Sequence, residues 1–299
     1  MAGRRRLLWV GSLLMASLAV VARDARHEPA AALVSATIAK VQQGTLAKVA
    51  GATVAPTFPA ASTAGTLLIA TLVSGKTAAF TGPAGWTKAA GIGLTNTEAE
   101  IWYYANNPGG VTTASFTVTG ATFTAGQLSE WSGAATSAPV DKIGTATAAA
   151  ATSASPVTSQ ATTVAGDLAV TAAAETLATA GTATFTPGTG WANLANTGAT
   201  SSVNHYTADY KTGVAASSVT ETITSTKTGT WAAALATFKP LTCTSGSLTI
   251  GAPASTAFSG VTLTGMNRTA TATVALTPSD LSGNALGWNI QATSTTFTN

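Results

Sequence analysis

The stretch "GTLLIATLVSG", residues 65–75, decides the fold class of this chain. Its Leu, Ile and Val residues form a short apolar run between two glycines, which is typical of a buried strand. A matching stretch, "AGDLAVTAAAE", follows at residues 165–175, with Gly65 and Gly166 in equivalent places. The same strand signal therefore occurs twice, 101 residues apart.

Strand signals of this kind dominate residues 35–240. Runs rich in Thr, Val, Ile and aromatic residues are bounded by Gly, Pro and Asn, and none has a helical period. The predicted strands lie within 65–75, 99–110, 114–120, 125–133, 165–175, 203–211, 218–225 and 230–240. Strands with a turn every 8–12 residues or so indicate an all-β fold of the β-sandwich type.

Two parts of this region share an order of features, which predicts an internal duplication. The aligned pairs include Trp86 with Trp191, Tyr104 with Tyr210, and Gly126 with Gly229. The predicted halves are about 35–140 and 164–240, joined by a crossing segment at 141–163. Each half has few large apolar side chains, which favours two halves packed face to face as one jelly-roll-type sandwich. Two separate small domains are the alternative.

The first 22 residues have the layout of a signal peptide. Arg4, Arg5 and Arg6 precede an apolar run that ends at Ala22, and this run is shorter than the ~20 residues that a membrane-spanning helix needs. We predict a signal-peptide helix cleaved after Ala22, a flexible segment at 23–34, and a secreted or cell-surface location. An uncleaved membrane anchor is the alternative.

Charge and composition argue against several classes of function. The sequence pI of about 9.1 comes from the signal arginines, because Lys+Arg and Asp+Glu each number 11 after residue 22. A neutral chain does not support nucleic-acid binding, which needs a clustered basic face. No later segment is long and apolar enough to predict a membrane span after signal removal. Only 8% of residues are charged, against roughly 25% in an ordinary soluble domain, which suits extracellular β-structure.

Trp86 and Trp191 each follow a glycine in a turn-like setting, "GPAGW" and "PGTGW". The structural interpretation places both indoles at the open end of the sandwich, as plugs. The functional interpretation makes them sugar-stacking rings. Equivalent positions in two similar halves favour the structural role.

The segment "EAEIWYYA" predicts a row of Glu98, Glu100, Trp102 and Tyr104 on one face of a strand, since side chains alternate along a strand. Carboxylates beside aromatic rings are found on sugar-binding faces and in glycosidases. Three interpretations stay open: glycan contact by this row, hydrolysis with Glu130 as the opposite partner, and ordinary solvated carboxylates with Trp102 under a loop.

Histidine and cysteine give little support for catalysis or metal binding. His205 alternates with Thr207 and Asp209 on one strand face, but no nucleophile-elbow serine accompanies it, and we expect a solvated histidine. Metal-ligand spacing such as His-x-x-x-His or paired cysteines is absent from the sequence, so neither a metal nor a cofactor is predicted.

Residues 35–240 resemble the jelly-roll, lectin-like sandwich repeats of large secreted bacterial surface proteins. The motifs that carry the resemblance are Gly65 to Leu67, Pro83 to Trp86, Trp102 to Tyr104, Glu130 to Gly133 and Pro139 to Asp141. The resemblance implies extracellular display beside other β-domains and no fixed catalytic residues.

The pattern of strand-like segments changes after Pro240, which predicts the start of a second small β-domain at 241–299. Trp288-Asn289-Ile290, after Asp280 and Gly287, is similar to the Trp-x-Leu motif of wall-associated domains. The single cysteine, Cys243, suggests a disulfide partner in a missing part of a longer protein, and a free buried thiol is the alternative.

These observations predict a secreted, non-catalytic bacterial surface module for display, adhesion, or binding to a polysaccharide or cell-wall glycan. Its other expected partners are further extracellular β-domains of the same chain. The alternative is a secreted jelly-roll hydrolase that uses Glu98, Glu100 or Glu130.

Overall fold

The computed structural model describes residues 36–197, 201–242, 248–251 and 277–280. All regular elements in these residues are β-strands. Ser35–Thr242 form one compact unit, and the described residues beyond Cys243 belong to another. In that other unit, β16 (Leu248–Gly251) and β17 (Thr277–Asp280) form an antiparallel pair.

The first sheet of the larger unit is built from residues before 133. Its strands are β1 (Ala39–Gln43), β2 (Ala47–Val49), β4 (Leu67–Ser74), β5 (Thr87–Gly93), β6 (Glu98–Tyr104) and β8 (Thr124–Ser132). They are ordered β1-β8-β4-β6-β5, with β2 beside β8. A separate short pair consists of β3 (Thr53–Val54) and β7 (Phe116–Thr117).

The second sheet is built from residues after 139. Its strands are β9 (Val140–Ala154), β10 (Val157–Thr158), β11 (Asp167–Thr182), β12 (Phe185–Thr186), β13 (Ala192–Asn196), β14 (Ser201–Val214) and β15 (Ile223–Phe238). They are ordered β10-β9-β15-β11-β14-β13, with β12 beside β15.

The two sheets share one strand order. The sequence β1-β8-β4-β6-β5 in the first corresponds to β9-β15-β11-β14-β13 in the second, and the strand pairs are antiparallel. Each sheet therefore comes from one continuous part of the chain. A jelly roll built from two Greek keys passes the chain between its sheets, so the observed connectivity differs from the jelly-roll expectation in this respect.

The sheets pack face to face over a common core, and the predicted all-β sandwich is confirmed at this level. Ile69 and Ile101 from the first sheet belong to the same buried cluster as Val170 and Ala208 from the second. Strand alternation directs these side chains inward, because successive residues of a strand point to opposite faces. At the centre, Thr71 and Tyr206 join the sheets through a hydrogen bond of 2.7 Å between their hydroxyl oxygens.

Aromatic contacts across the core are reciprocal. Trp131 of β8 meets Tyr210 of β14 with ring centroids 5.1 Å apart, and Phe238 of β15 meets Tyr103 of β6 at 5.9 Å. Trp131 lies opposite Leu67, as Phe238 lies opposite Leu168. Each sheet thus supplies one large ring and one tyrosine to the same interface.

Two of the residue pairs that were predicted to be equivalent in the two halves do not occupy equivalent positions in the strand register. Tyr103, opposite Ile69, is the counterpart of Tyr210, opposite Val170; Tyr104 points to the other face of the sheet. Gly126 pairs with Leu72, whereas Gly229 pairs with Leu177, outside the corresponding part of the second sheet. A slip of one residue reverses the face of a side chain, and spacing counts alone do not reveal it.

The segment predicted to cross between halves is largely strand. β9 takes up most of 141–163 and pairs with β15 along much of its length. After Ile143, β9 contains only Gly, Ala, Thr and Ser, so no large apolar side chain marks a buried face there and the sequence predicts a linker. Of the strand predicted at 114–120 only the two residues of β7 are strand, and the strands predicted at 218–225 and 230–240 form one continuous strand, β15, which begins at Ile223.

Candidate functional site

The row of Glu98, Glu100, Trp102 and Tyr104 lies on β6, on the face of the first sheet that points away from the common core. This face is not open to solvent. A second buried cluster covers it, formed with outer residues of β4 and β8 by side chains of the connecting segments: Val54, Phe58, Phe80, Trp86, Phe116 and Val118. Glu98 and Glu100 are buried, and Trp102 and Tyr104 are half-buried under this cover.

Glu100 is held by three donors. The Trp102 indole N–H donates to Oε2 at 2.5 Å, and the Lys88 ammonium and the Phe80 backbone N–H reach Oε1 at 3.2 and 3.3 Å. Burial and the neighbouring Glu100 charge raise the pKa of Glu98 to about 7, against the opposing effect of Lys88. The prediction of solvated carboxylates is therefore wrong, whereas Trp102 does pack against a covering residue, Phe116.

Glu130 is an internal anchor. The Thr63 backbone N–H and the Thr66 hydroxyl donate to Oε1 at 2.7 and 2.9 Å, and the Gln42 amide donates to Oε2 at 2.5 Å. These bonds attach the segment before β4 to the edge of the sheet. Glu130 itself is fully buried.

Glu100 and Glu130 are too far apart to flank a glycosidic bond. They lie opposite Leu72 and Leu68, which are four residues apart on β4. A strand rises about 3.3 Å per residue, so this separation is about 13 Å along the strand. Glycosidase carboxylates are about 5 to 9.5 Å apart. The geometry gives no support to a hydrolase built on these residues.

Trp86 and Trp191 occupy the same turn in the two sheets. Gly85 and Gly190 have φ values of 85° and 80°, and each tryptophan N–H bonds to the carbonyl three residues earlier. This conformation is open to glycine because it lacks a Cβ. The repeated Gly-Trp pair is thus explained by backbone geometry.

Neither indole plugs an end of the sandwich, which corrects the structural interpretation. Trp86 is 9% exposed and packs between Tyr104 and Phe116, at 6.0 and 5.4 Å. Trp191 is half-buried against Val214, Val219 and Leu235 on the outer face of the second sheet. Both cover outer faces, and Trp86 does not offer a ring face for sugar stacking.

His205 is fully buried, which contradicts the expected solvated histidine. Its Nε2 lies 3.1 Å from the Ser202 carbonyl, and its Nδ1 lies 3.4 Å from the Thr197 hydroxyl. Burial holds the pKa of His205 below its usual value. Its ring packs beside Phe185, under the cover of β12, because the outer face of the second sheet is covered as well.

A second set of buried carboxylates, which the sequence analysis missed, lies on the second sheet. Asp167, Glu175, Asp209 and Glu221 are all buried. Asp209 lies on the same face of β14 as His205, as the alternation of side chains along this strand predicts. Glu221 lies in the segment before β15, a position for which spacing alone contains no signal.

One polar groove is formed by segments of both sheets. We define it by Lys76, Asn96, Thr122, Thr176, Val203 and Asn204, together with Gly75 and Gly120; its volume is about 420 Å³. The Thr176 hydroxyl donates to Asn204 Oδ1 at 3.1 Å, which orients the amide. Among the described residues, the Asn204 amide nitrogen, the Asn96 side chain and the Lys76 ammonium have no hydrogen-bond partner in the protein. Side-chain donors from both sheets therefore face the solvent in this groove without a partner in the described protein.

Other predicted features lie outside the described residues or find no counterpart within them. Trp288, Ile290, Cys243 and the signal segment belong to the part of the chain that is not described. Within the described ranges, His, Cys, Asp and Glu form no group of three or more suited to a metal ion. No helix in those ranges has the length and apolarity to cross a membrane.

Comparison with known proteins adds no relative. A scan of protein-family models, a search of curated proteins and a search of solved structures each found no match to this chain. The resemblance to lectin-like surface repeats therefore stays a prediction from short motifs.

Proposed function

We propose that this chain is a secreted, non-catalytic surface module that displays a rigid duplicated β-sandwich and contacts a glycan through the polar groove. The observation that carries the proposal is the set of unpartnered donors from Lys76, Asn96 and Asn204, which come from both sheets. Hydroxyl-rich chains are recognised by placed amide and hydroxyl groups of this kind.

The chemistry of the groove suggests the type of glycan. The described lining contains no aromatic ring, so recognition there relies on hydrogen bonds rather than on stacking. The Lys76 ammonium lies close to Gly120 at the wall of the groove, where a Cβ on Gly120 would meet it at 2.8 Å. A carboxylate on the glycan would pair with this ammonium.

The buried carboxylates support the non-catalytic part of the proposal. Glu100 and Glu130 accept internal hydrogen bonds, and all three of Glu98, Glu100 and Glu130 are buried, where a polysaccharide would not reach them. The proposed function is therefore the one predicted from the sequence, with the binding face proposed at the groove instead of on β6.

The test is retention of the chain without its first 22 residues by cellulose, by a cross-linked polyuronate and by peptidoglycan sacculi. We expect retention by an acidic glycan, reduced at least tenfold by Lys76→Met combined with Asn204→Ala. The matched control is Lys227→Met, at a separate cleft of about 180 Å³, which should leave retention unchanged. Retention that survives the double variant would place binding elsewhere, and no retention by any of the three materials would reject glycan binding.

A further inference from the structure

The buried carboxylates of the second sheet lack the donors that buried carboxylates normally have. Both carboxyl oxygens of Asp167 and one oxygen each of Glu175, Asp209 and Glu221 are buried without a hydrogen-bond partner of normal geometry. An ionised carboxylate in this state carries a large desolvation cost. The arrangement requires either neutral groups or a bound ion.

Asp209 and Glu221 form the clearest case. Asn193 Nδ2 donates to Asp209 Oδ1 at 2.8 Å, and the Thr171 hydroxyl donates to Glu221 Oε2. The two unpartnered oxygens are then Asp209 Oδ2 and Glu221 Oε1, one on each carboxyl group. Thr171, whose hydroxyl bonds to Glu221, lies directly opposite Asp209 in the pairing of β11 with β14, which brings the two carboxyl groups to the same place. One proton between them would satisfy both oxygens, because like charges at such a site do not both ionise.

Asp141 and Asp167 form a second pair. Asp141 accepts hydrogen bonds from the backbone N–H and the hydroxyl of Thr163, and Lys142 Nζ lies 3.5 Å from its Oδ1. Neither carboxyl oxygen of Asp167 has a hydrogen-bond donor among the described residues, and the charges of Asp141 and Lys239 act on this group. Asp141 is therefore the ionised partner, and Asp167 is the one that carries the proton.

We propose that these two pairs each hold a shared proton in the folded protein, so that folding takes up protons and the second sheet loses stability as the pH rises through neutrality. The unfolded chain ionises the same carboxyl groups in water and holds no such protons near neutral pH. The sandwich is accordingly more stable at mildly acidic pH than above neutral pH.

The electrostatic environment agrees with the direction of this proposal. Burial and the Asp209 charge raise the pKa of Glu221 to about 9, and burial raises the pKa of Asp209 to about 6. Burial and Asp141 raise the pKa of Asp167 to about 7. In Asp141 burial acts upward as well, but the bonds from Thr163 outweigh it and lower the pKa. Carboxyl groups with a raised folded pKa stabilise the fold fully below their unfolded pKa, and this stabilisation disappears as the pH passes the folded pKa.

The groups that face the two pairs differ in charge. Thr171 on β11, Asn193 on β13 and the Gly188 backbone face the Asp209–Glu221 pair, and each is uncharged. On β14 itself, His205 precedes Asp209 and Lys211 follows it, and both lie on the same face as Asp209. The cations at the Asp141–Asp167 pair are Lys142 and Lys239. These lysines favour the ionised form of the aspartates and so oppose protonation there. We therefore expect the Asp209–Glu221 pair to hold its proton more firmly than the Asp141–Asp167 pair.

The test is the unfolding equilibrium of the chain from pH 5 to pH 9, with proton uptake measured by calorimetry in buffers of different ionisation enthalpy. We expect the unfolding constant to rise up to tenfold per pH unit for each shared proton, with net uptake of protons on folding at pH 7. Glu221→Gln should remove about one proton of uptake, since the amide is neutral and still accepts the Thr171 hydrogen bond. Asp167→Asn should do the same at the other pair.

Two outcomes would overturn the proposal. One is a wild-type unfolding constant that stays flat or falls between pH 6 and pH 9, a measurement that needs no variant to fold. The other is stabilisation by millimolar Ca²⁺ that Glu221→Gln abolishes, because it would show that a cation occupies the pair. The matched control is Lys227→Met, at a cleft away from both pairs, which should leave the pH dependence unchanged.

Discussion

The two sheets have the same strand order and both bury carboxylates on their outer faces, yet they stabilise them in opposite ways. In the first sheet, Glu100 and Glu130 each accept hydrogen bonds from three donors. In the second, Asp167 and Glu221 face other carboxyl groups instead. Hydrogen-bond donors around a buried carboxyl group favour its charged form, so burial alone does not describe the two environments.

The covers of the outer faces differ as well. The first sheet lies under an aromatic cover that includes Phe58, Phe80, Trp86 and Phe116. The second sheet has two smaller clusters in which alanines such as Ala169 and Ala173 are prominent. Larger apolar side chains bury more surface, so the first outer face contributes more hydrophobic stabilisation. The second sheet therefore depends more on the common core for its hydrophobic stabilisation.

The largest loss of stability should come from a substitution that removes an aromatic contact between the two sheets. Trp131→Ala leaves a cavity opposite Tyr210, and we expect the free energy of unfolding to fall by about 4 kcal/mol. Denaturant unfolding followed by fluorescence and circular dichroism measures this change.

Phe238→Ala is the matched variant at the reciprocal contact with Tyr103, with an expected loss of similar size. Both variants should still unfold in one transition, because the sheets share one core. Two separate transitions in the unmodified chain would show that the sheets are independent domains and would remove the basis for comparing them as halves of one fold.

Removing a first-sheet carboxylate should be costly. Glu130→Ala removes the buried acceptor to which the Thr63 N–H, the Thr66 hydroxyl and the Gln42 amide all donate, with an expected loss of about 3 kcal/mol at pH 7. Urea unfolding gives the value directly.

The control for this change is Glu221→Gln in the second sheet, where a neutral group replaces a neutral group and the expected change at pH 7 is within about 1 kcal/mol. Equal losses in the two variants would mean that the sheets do not differ in how they stabilise carboxylates.

The smallest effect should come from Lys88, which among the described residues is the cation paired with a carboxylate of the first sheet. Lys88→Met removes a partner of Glu100 whose side chain is 41% exposed, so we expect a loss of only about 1 kcal/mol. The pKa of Glu98 should rise further, because Lys88 opposes its increase.

Titration of Glu98 by carbon-detected NMR in the two proteins measures this pKa. Lys40→Met, at a lysine that packs over the Tyr210 ring without a carboxylate partner among the described residues, is the control. An unchanged Glu98 pKa in Lys88→Met would show that the Lys88 charge does not act on Glu98.

Much of the strand pattern could be predicted from the sequence, and much of the site could not. The run at 65–75 became β4 and its echo became β11, because Gly65 and Gly166 both adopt positive φ at the strand entry. The Gly-Trp turns were also predictable as equivalent features. The row on β6 was placed correctly on one face, but its cover comes from segments far away in sequence, such as 111–121, and strand alternation contains no information about them.

By itself the sequence determined the all-β character, the doubled strand signal and the turn glycines, because these depend on local backbone preference and alternation. Only the tertiary structure decided that β9 joins the second sheet, that both outer faces are covered, and that Asp209 meets Glu221. These depend on which segments come together across long stretches of chain. A carboxylate's charge, access and role are set by those neighbours and not by its position along the strand.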